Sequence, residues 1–130
     1  MASPDRNSKK NNKFLNSFRC SVNGIITAVK SERNLRFHLT FSVLIILLGW
    51  ILSISVGEWL VIIVVIGGII CAELMNSAIE RVVDLVTEEY HPLAKQAKDI
   101  AAGAVLMLAL TSVVIGIVIF GPRILTILSL

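Results

Sequence analysis

Three long apolar runs organise the chain, and the stretches between them are short and polar. The first runs from Leu39 to Val56 without a charge. Gly57 and Glu58 read as a very short turn. A second run then opens at Trp59 as WLVIIVVIGGIICA and meets Glu73, and its helical pattern continues through Val86. A polar stretch, TEEYHPLAKQAKD, covers Thr87–Asp99, and the third run extends from Ile100 to Pro122. At about 1.5 Å per residue, a hydrocarbon layer of about 30 Å takes around 20 residues, and all three runs fit. None alternates with period two, which excludes a transmembrane β-barrel.

Upstream the pattern changes. In residues 13–30, Phe14, Leu15, Phe18, Val22, Ile25, Ile26 and Val29 share one helical arc of about 120°, while Lys13, Asn16, Arg19, Asn23, Thr27 and Lys30 lie opposite. This could be a core-facing helix of a soluble domain, but no such domain follows. A helix lying in the membrane interface is therefore expected. Residues 1–12, MASPDRNSKKNN, hold no apolar run and read as a disordered start. They do not read as a signal peptide, because the first apolar run begins too far downstream and is too long. The expected architecture is an all-α integral membrane protein with a single domain over residues 13–130. It comprises an interfacial amphipathic helix (13–30) and spans at 39–56, 59–86 and 100–122, with no internal repeat.

Composition agrees. The chain has 130 residues, of which 55% are hydrophobic and 16% charged, against about 25% charged in average soluble domains. So small a soluble domain could not bury that much apolar surface. An ordinary globular enzyme, a disordered tail and a disulfide scaffold are excluded. The net charge of +3 is unevenly placed: eight of the twelve Lys and Arg residues lie at or before Arg36, and Arg81, Lys95 and Lys98 lie in or beside the second polar segment. Only Arg123 falls on the other side. This bias points the N-terminus and the Thr87–Asp99 segment toward the cytoplasm, and argues for a membrane flank, with no nucleic acid partner. Cys20 and Cys71 show no metal or redox spacing and read as small packing residues.

The second run carries the chemical anomaly. Glu73, Asn76, Glu80 and Asp84 fall at i, i+3, i+7 and i+11, one narrow helical stripe with Ser77 inside it. Counting from Trp59, Glu73 lies inside the hydrocarbon edge, Glu80 at the boundary and Asp84 just beyond. A carboxylate at bilayer depth costs roughly 2.5–3.5 kcal/mol on insertion scales. Glue between subunits would need one polar group rather than three acids and an amide. Neighbouring acids repel unless cations sit among them. Lys98, Asp99, Glu32, Arg33 and Arg36 all fall on the same side, and acids from two helices at one boundary suit a hard divalent ion such as Mg²⁺, shared with substrate phosphates. No P-loop and no HRD or DFG signature is present, so any nucleotide site must be built from helix ends. Other features have plainer readings. Trp59 is an interfacial anchor and Tyr90 could be one; His91 before Pro92 could simply bound a helix; Gly67-Gly68 allows close helix packing; Glu58 is a solvated turn residue.

The run Glu73–Leu106, ELMNSAIERVVDLVTEEYHPLAKQAKDIAAGAVL, resembles the prokaryotic diacylglycerol kinase family. The pattern E-x-x-N-S-A-I-E-x-V-V-D is met at Glu73–Asp84, followed by E-Y-H at Glu89–His91 and A-K-D at Ala97–Asp99. The resemblance implies a small trimeric membrane kinase that uses ATP and Mg²⁺ to phosphorylate a lipid hydroxyl in the bacterial cell membrane. It implies Glu73 as catalytic base, with Asn76 as an active-site amide. Glu80 and Glu32 would hold Mg²⁺ on the ATP phosphates. Glu89, Tyr90, His91, Lys98 and Asp99 would contact the nucleotide, and Lys13 stands where the Gram-negative form has a substrate-contacting Arg. His38 replaces an acid of that form. Glu32-Arg33-Asn34 with His38 resembles instead the Gram-positive, undecaprenol kinase branch. The expected function is phosphorylation of undecaprenol. A diacylglycerol kinase is the alternative within the class, and a non-enzymatic transporter or channel subunit the alternative outside it.

Overall fold

A computed structural model describes residues 5–87 and 89–129, and these form four helices: α1 (Asp5–Ser31), α2 (Arg33–Ile51), α3 (Val56–Val86) and α4 (Pro92–Leu128). α1 belongs to one compact unit, and residues 34–130 form a second. Of the expected disordered start, residues 1–4 lie outside the described residues. α1 begins at Asp5, within that polar stretch rather than at residue 13. Lys, Arg, Ser and Asn cost at most about 0.7 kcal/mol each in a helix relative to Ala, so a helix nucleated downstream can run back through them.

α2, α3 and α4 are each long and apolar enough to cross a membrane. Their outer surfaces are largely apolar and exposed in the single chain: Leu44, Val64, Val114 and Val118 are examples. Hydroxyls inside these helices return to their own backbone. Ser42, Thr111 and Ser112 each donate to the carbonyl four residues back, at 2.7–2.9 Å, which keeps them satisfied where water is scarce.

The connection between the first two spans differs from the expected Gly57–Glu58 turn. α2 stops at Ile51, and the chain reverses through Leu52–Ser55, with Ser53 at φ 48°. Ser55 caps α3. Its hydroxyl accepts from the Glu58 N–H (3.3 Å), and the Glu58 carboxylate accepts from the Ser55 N–H (2.7 Å). Gly57 and Glu58 are thus helical, because this reciprocal pairing satisfies two otherwise orphaned amide donors. Nor is Glu58 a solvated turn residue. Arg123 donates to both of its carboxylate oxygens, at 2.8 and 2.7 Å, and to the Ile119 carbonyl at 2.7 Å. At the other end, His91 Nδ1 accepts from the Leu93 N–H (3.2 Å) and Pro92 takes the first helical position, where its missing donor is harmless. α4 therefore starts well before Ile100. It also passes through Pro122 and continues to Leu128.

α3 and α4 pack antiparallel. Two ion pairs fix their register: Glu58 with Arg123 at one end, and Asp84 with Lys98 (2.5 Å) at the other. At the end with Glu58 and Arg123, Ile54, Ile62, Ile119 and Phe120 form a buried cluster with Leu48 and Trp59 against it. Gly49 permits that packing. A Cβ there would lie 3.0 Å from both Ile54 Cδ1 and Trp59 Cη2. Gly49→Val should destabilise the protein by about 1–3 kcal/mol, the usual range for overpacking, read as a lower unfolding midpoint in detergent. The close approach expected at Gly67-Gly68 is not made within the chain: a Cβ on Gly67 meets nothing within 4 Å, and one on Gly68 only Leu108 at 3.9 Å. Cys20 and Cys71 are free and exposed rather than packed.

Candidate active site

The acid stripe of α3 is buried at its apolar end and opens toward Asp84. Glu73 is 3% exposed, Ser77 4% and Asn76 8%, while Glu80 is half-buried and Asp84 exposed. The order follows from the stripe facing neighbouring helices along its inner half. On α4, which packs against α3, Ala101 and Val105 are buried.

Two interactions organise the buried part. His38 of α2 places Nε2 3.2 Å from Glu73 Oε1, where an imidazole N–H donates to a carboxylate. One turn further along, Asn76 Nδ2 donates to Glu80 Oε1 at 2.9 Å. The other end of that amide, Asn76 Oδ1, is buried and has no hydrogen-bond partner among the described residues. Such an atom is costly to leave unmatched, and its natural complement is a cation or a donor brought by a ligand. A half-buried carboxylate beside an unmatched amide oxygen is a hard-oxygen donor set that fits Mg²⁺, which usually takes one or two protein carboxylates and completes its shell with water and phosphate oxygens. Among the described residues, no three His, Cys, Asp or Glu side chains converge as an all-protein metal cage.

The nucleotide candidates sit at the open end. Lys98 is bound to Asp84, and Asp99 accepts from Lys95 at 2.6 Å. Glu89 lies in a tight local turn, where its N–H donates to the Thr87 hydroxyl at 3.2 Å. Tyr90 is exposed, and the Nδ1 of His91 is taken up as the cap of α4. Glu73, Asn76, Glu80, Lys98 and Asp99 thus belong to the paired helices α3 and α4. Lys13 and Glu32 belong to the unit of α1, where Glu32 Oε1 accepts from the Ser31 hydroxyl at 3.1 Å.

An apolar groove of about 560 Å³ begins beside the His38–Glu73 contact, between α2, α3 and α4. His38 lines it at that end. In the sequence His38 is a mark of the Gram-positive branch and nothing more; its contact with Glu73 joins two helices and has no spacing to read. The Lys95–Asp99 pair carries a signal legible in the sequence, opposite charges at i and i+4.

The family model for prokaryotic diacylglycerol kinases matches residues 19–120 of this chain. The chain belongs to the prokaryotic diacylglycerol kinase family. It is similar to an undecaprenol kinase of Bacillus subtilis, with 44% identity over 112 residues covering 86% of this chain and 91% of that enzyme. It is also similar to a diacylglycerol kinase of Synechocystis (37% over 116 residues, 88% of this chain and 66% of that one) and to one of Pseudomonas aeruginosa (37% over 92 residues, 71% and 75%). As a member of this family the protein is a lipid kinase, an enzyme of the membrane that uses ATP. A non-enzymatic transporter or channel subunit is thereby set aside.

Proposed function

We propose that the protein transfers the γ-phosphoryl group of ATP to the terminal hydroxyl of undecaprenol, at the cytoplasmic boundary of the bacterial cell membrane. The observation that carries this reading is the buried Glu73 carboxylate, held by His38 at the end of an apolar groove. A lipid hydroxyl reaches that depth from within the leaflet. Its oxygen forms the new bond to the γ-phosphorus as the bond to the β-phosphate oxygen breaks, and its proton passes to Glu73. His38, held against Glu73 Oε1, keeps the carboxylate in one orientation. Glu80, with Asn76 beside it, is a ligand for Mg²⁺, and the family resemblance adds Glu32. When bound, Mg²⁺ supplies charge neutralisation on the ATP phosphates. Lys98, whose ammonium has donors to spare beyond the one on Asp84, meets phosphate oxygens, and Glu89, Tyr90, His91 and Asp99 contact the nucleotide. Lys13 contacts substrate from α1. That helix lies in the interface, a placement supported by its exposed Phe14, Leu15 and Phe18. One chain offers few walls around such a site, and the open face at Gly67 supports a homotrimer.

Undecaprenol is favoured over diacylglycerol by the similarity to an undecaprenol kinase and by His38. Both lipids should be presented at equal mole fraction in the same mixed micelles, with product identified from labelled ATP. We expect kcat/KM for undecaprenol to exceed that for diacylglycerol by at least tenfold, about 1.4 kcal/mol of transition-state binding. A tenfold preference for diacylglycerol would overturn the acceptor and leave the kinase intact.

A further inference from the structure

We infer that His38 is a catalytic residue of the phosphoryl transfer, its imidazole carrying the acceptor's proton to Glu73 and afterwards out to water. This rests on the proposed function above, in which that proton ends on Glu73. The two side chains are unequally placed. That of Glu73 is 4% exposed and that of His38 18%. His38 lines the apolar groove between α2, α3 and α4, and Glu73 does not. Of the residues that line it, only His38, Ser42 and Ser112 have polar side chains. Both hydroxyls donate to their own helices, to the His38 and Leu108 carbonyls at 2.7 Å, and an alcohol is no base at neutral pH. A hydroxyl arriving from the groove therefore meets a single basic side chain, the imidazole.

The ring can act at both of its nitrogens. Nε2 lies 3.2 Å from Glu73 Oε1 and carries the proton it donates, so Nδ1 holds a lone pair. Among the described residues Nδ1 has no hydrogen-bond partner. In the transfer, the acceptor O–H bond breaks and its proton goes to Nδ1, while the Nε2 proton moves to Glu73 Oε1. The oxygen's electron pair forms the bond to the γ-phosphorus, and the pair of the breaking bond leaves on the β-phosphate oxygen of ADP. The imidazole ends neutral in its other tautomer, and Glu73 ends protonated. A carboxyl group so buried has little water to discharge into. Reset runs back through the ring: Nδ1 gives its proton to water, and Nε2 recovers one from Glu73. A residue that only oriented Glu73 would need the Nε2 N–H and nothing at Nδ1.

One substitution separates the two roles. In His38→Gln an amide N–H stands where the Nε2 N–H was, so the bond to Glu73 is kept, but no second nitrogen can take a proton. Single-turnover phosphoryl transfer should fall about 10²–10⁴-fold, the range for a proton-transferring side chain, with ATP affinity within about twofold. The double variant with Glu73→Gln should lose no more than the larger single loss, since residues acting as a unit are not additive. His38→Ala leaves room beside Glu73. Added imidazole should restore transfer there, and the rescue should grow with basicity across substituted imidazoles. As a measurement independent of any variant, the rate of the unmodified enzyme in H₂O–D₂O mixtures should depend on the deuterium fraction along a curve, as two protons in flight require. In His38→Gln that dependence should become linear. Transfer within about threefold of normal in His38→Gln would make His38 a positioning residue and overturn the inference. So would a linear dependence in the unmodified enzyme, or no rescue by imidazole. Undecaprenol and diacylglycerol are both offered to the unmodified enzyme. Turnover of neither removes the proposed function and the relay with it, whereas a large loss in Glu73→Gln beside near-normal His38→Gln keeps the first and overturns only the second.

Discussion

Glu73→Gln should leave a folded, lipid-embedded protein whose kcat is reduced by about 10²–10⁴, the range lost with a general base. The substitution is nearly isosteric, and a glutamine oxygen can still accept from His38, which lies 3.2 Å from Glu73. Packing around this 3%-exposed position is therefore kept, and what disappears is the ability to take the hydroxyl proton. Nucleotide affinity should change by no more than about twofold, because the charged groups at the open end of α3 and α4 are untouched. The decisive comparison is single-turnover phosphoryl transfer against equilibrium ATP binding in the same preparation. A loss confined to binding, or near-normal turnover in a well-folded sample, would remove Glu73 from the chemistry.

The second large effect is expected at Glu80. Glu80→Gln keeps an oxygen that can accept from Asn76 Nδ2, now 2.9 Å from the carboxylate, and removes only the charge. The Mg²⁺ concentration giving half-maximal rate should rise about 100-fold or more, since even outer partners of metal ligands are worth 10–100-fold in affinity. Saturating Mg²⁺ should recover much of the rate, which separates this variant from Glu73→Gln. A Mg²⁺ titration of steady-state rate at fixed ATP reads it directly, and an unchanged midpoint would take Glu80 off the ion.

Much of this was legible in the sequence because a membrane makes polar residues conspicuous. Glu73, Asn76, Glu80 and Asp84 stand out only because they interrupt an apolar helix, and their spacing alone places them on one face. The spans were legible for the same reason. Their ends were less so. Gly57-Glu58 has the composition of a turn, yet Ser55 and Glu58 carry the S-x-x-E signature of a helix start, and the structure follows the capping pattern. The partners of the polar residues lay beyond sequence reasoning. His38 with Glu73, and Arg123 with Glu58, are contacts between helices whose relative rotation no single-helix periodicity contains. Likewise, the close approach belongs to Gly49 rather than to Gly67-Gly68, because only the packed turn brings Ile54 and Trp59 against it.

The two ion pairs that tie α3 to α4 act together as a calliper. Glu58 and Asp84 on one helix, and Arg123 and Lys98 on the other, are each separated by about 25 residues, some 38 Å at 1.5 Å per residue. That exceeds a hydrocarbon layer of about 30 Å, so both pairs lie toward water and clamp the apolar band between them. Sliding the helices past one another to suit a thicker or thinner membrane would break charge-assisted bonds at both ends. Hydrophobic mismatch then falls on the surrounding lipid, at fractions of a kcal/mol per Å. The register that sets Glu73 against α4 is thereby fixed within the protein, independent of the bilayer around it.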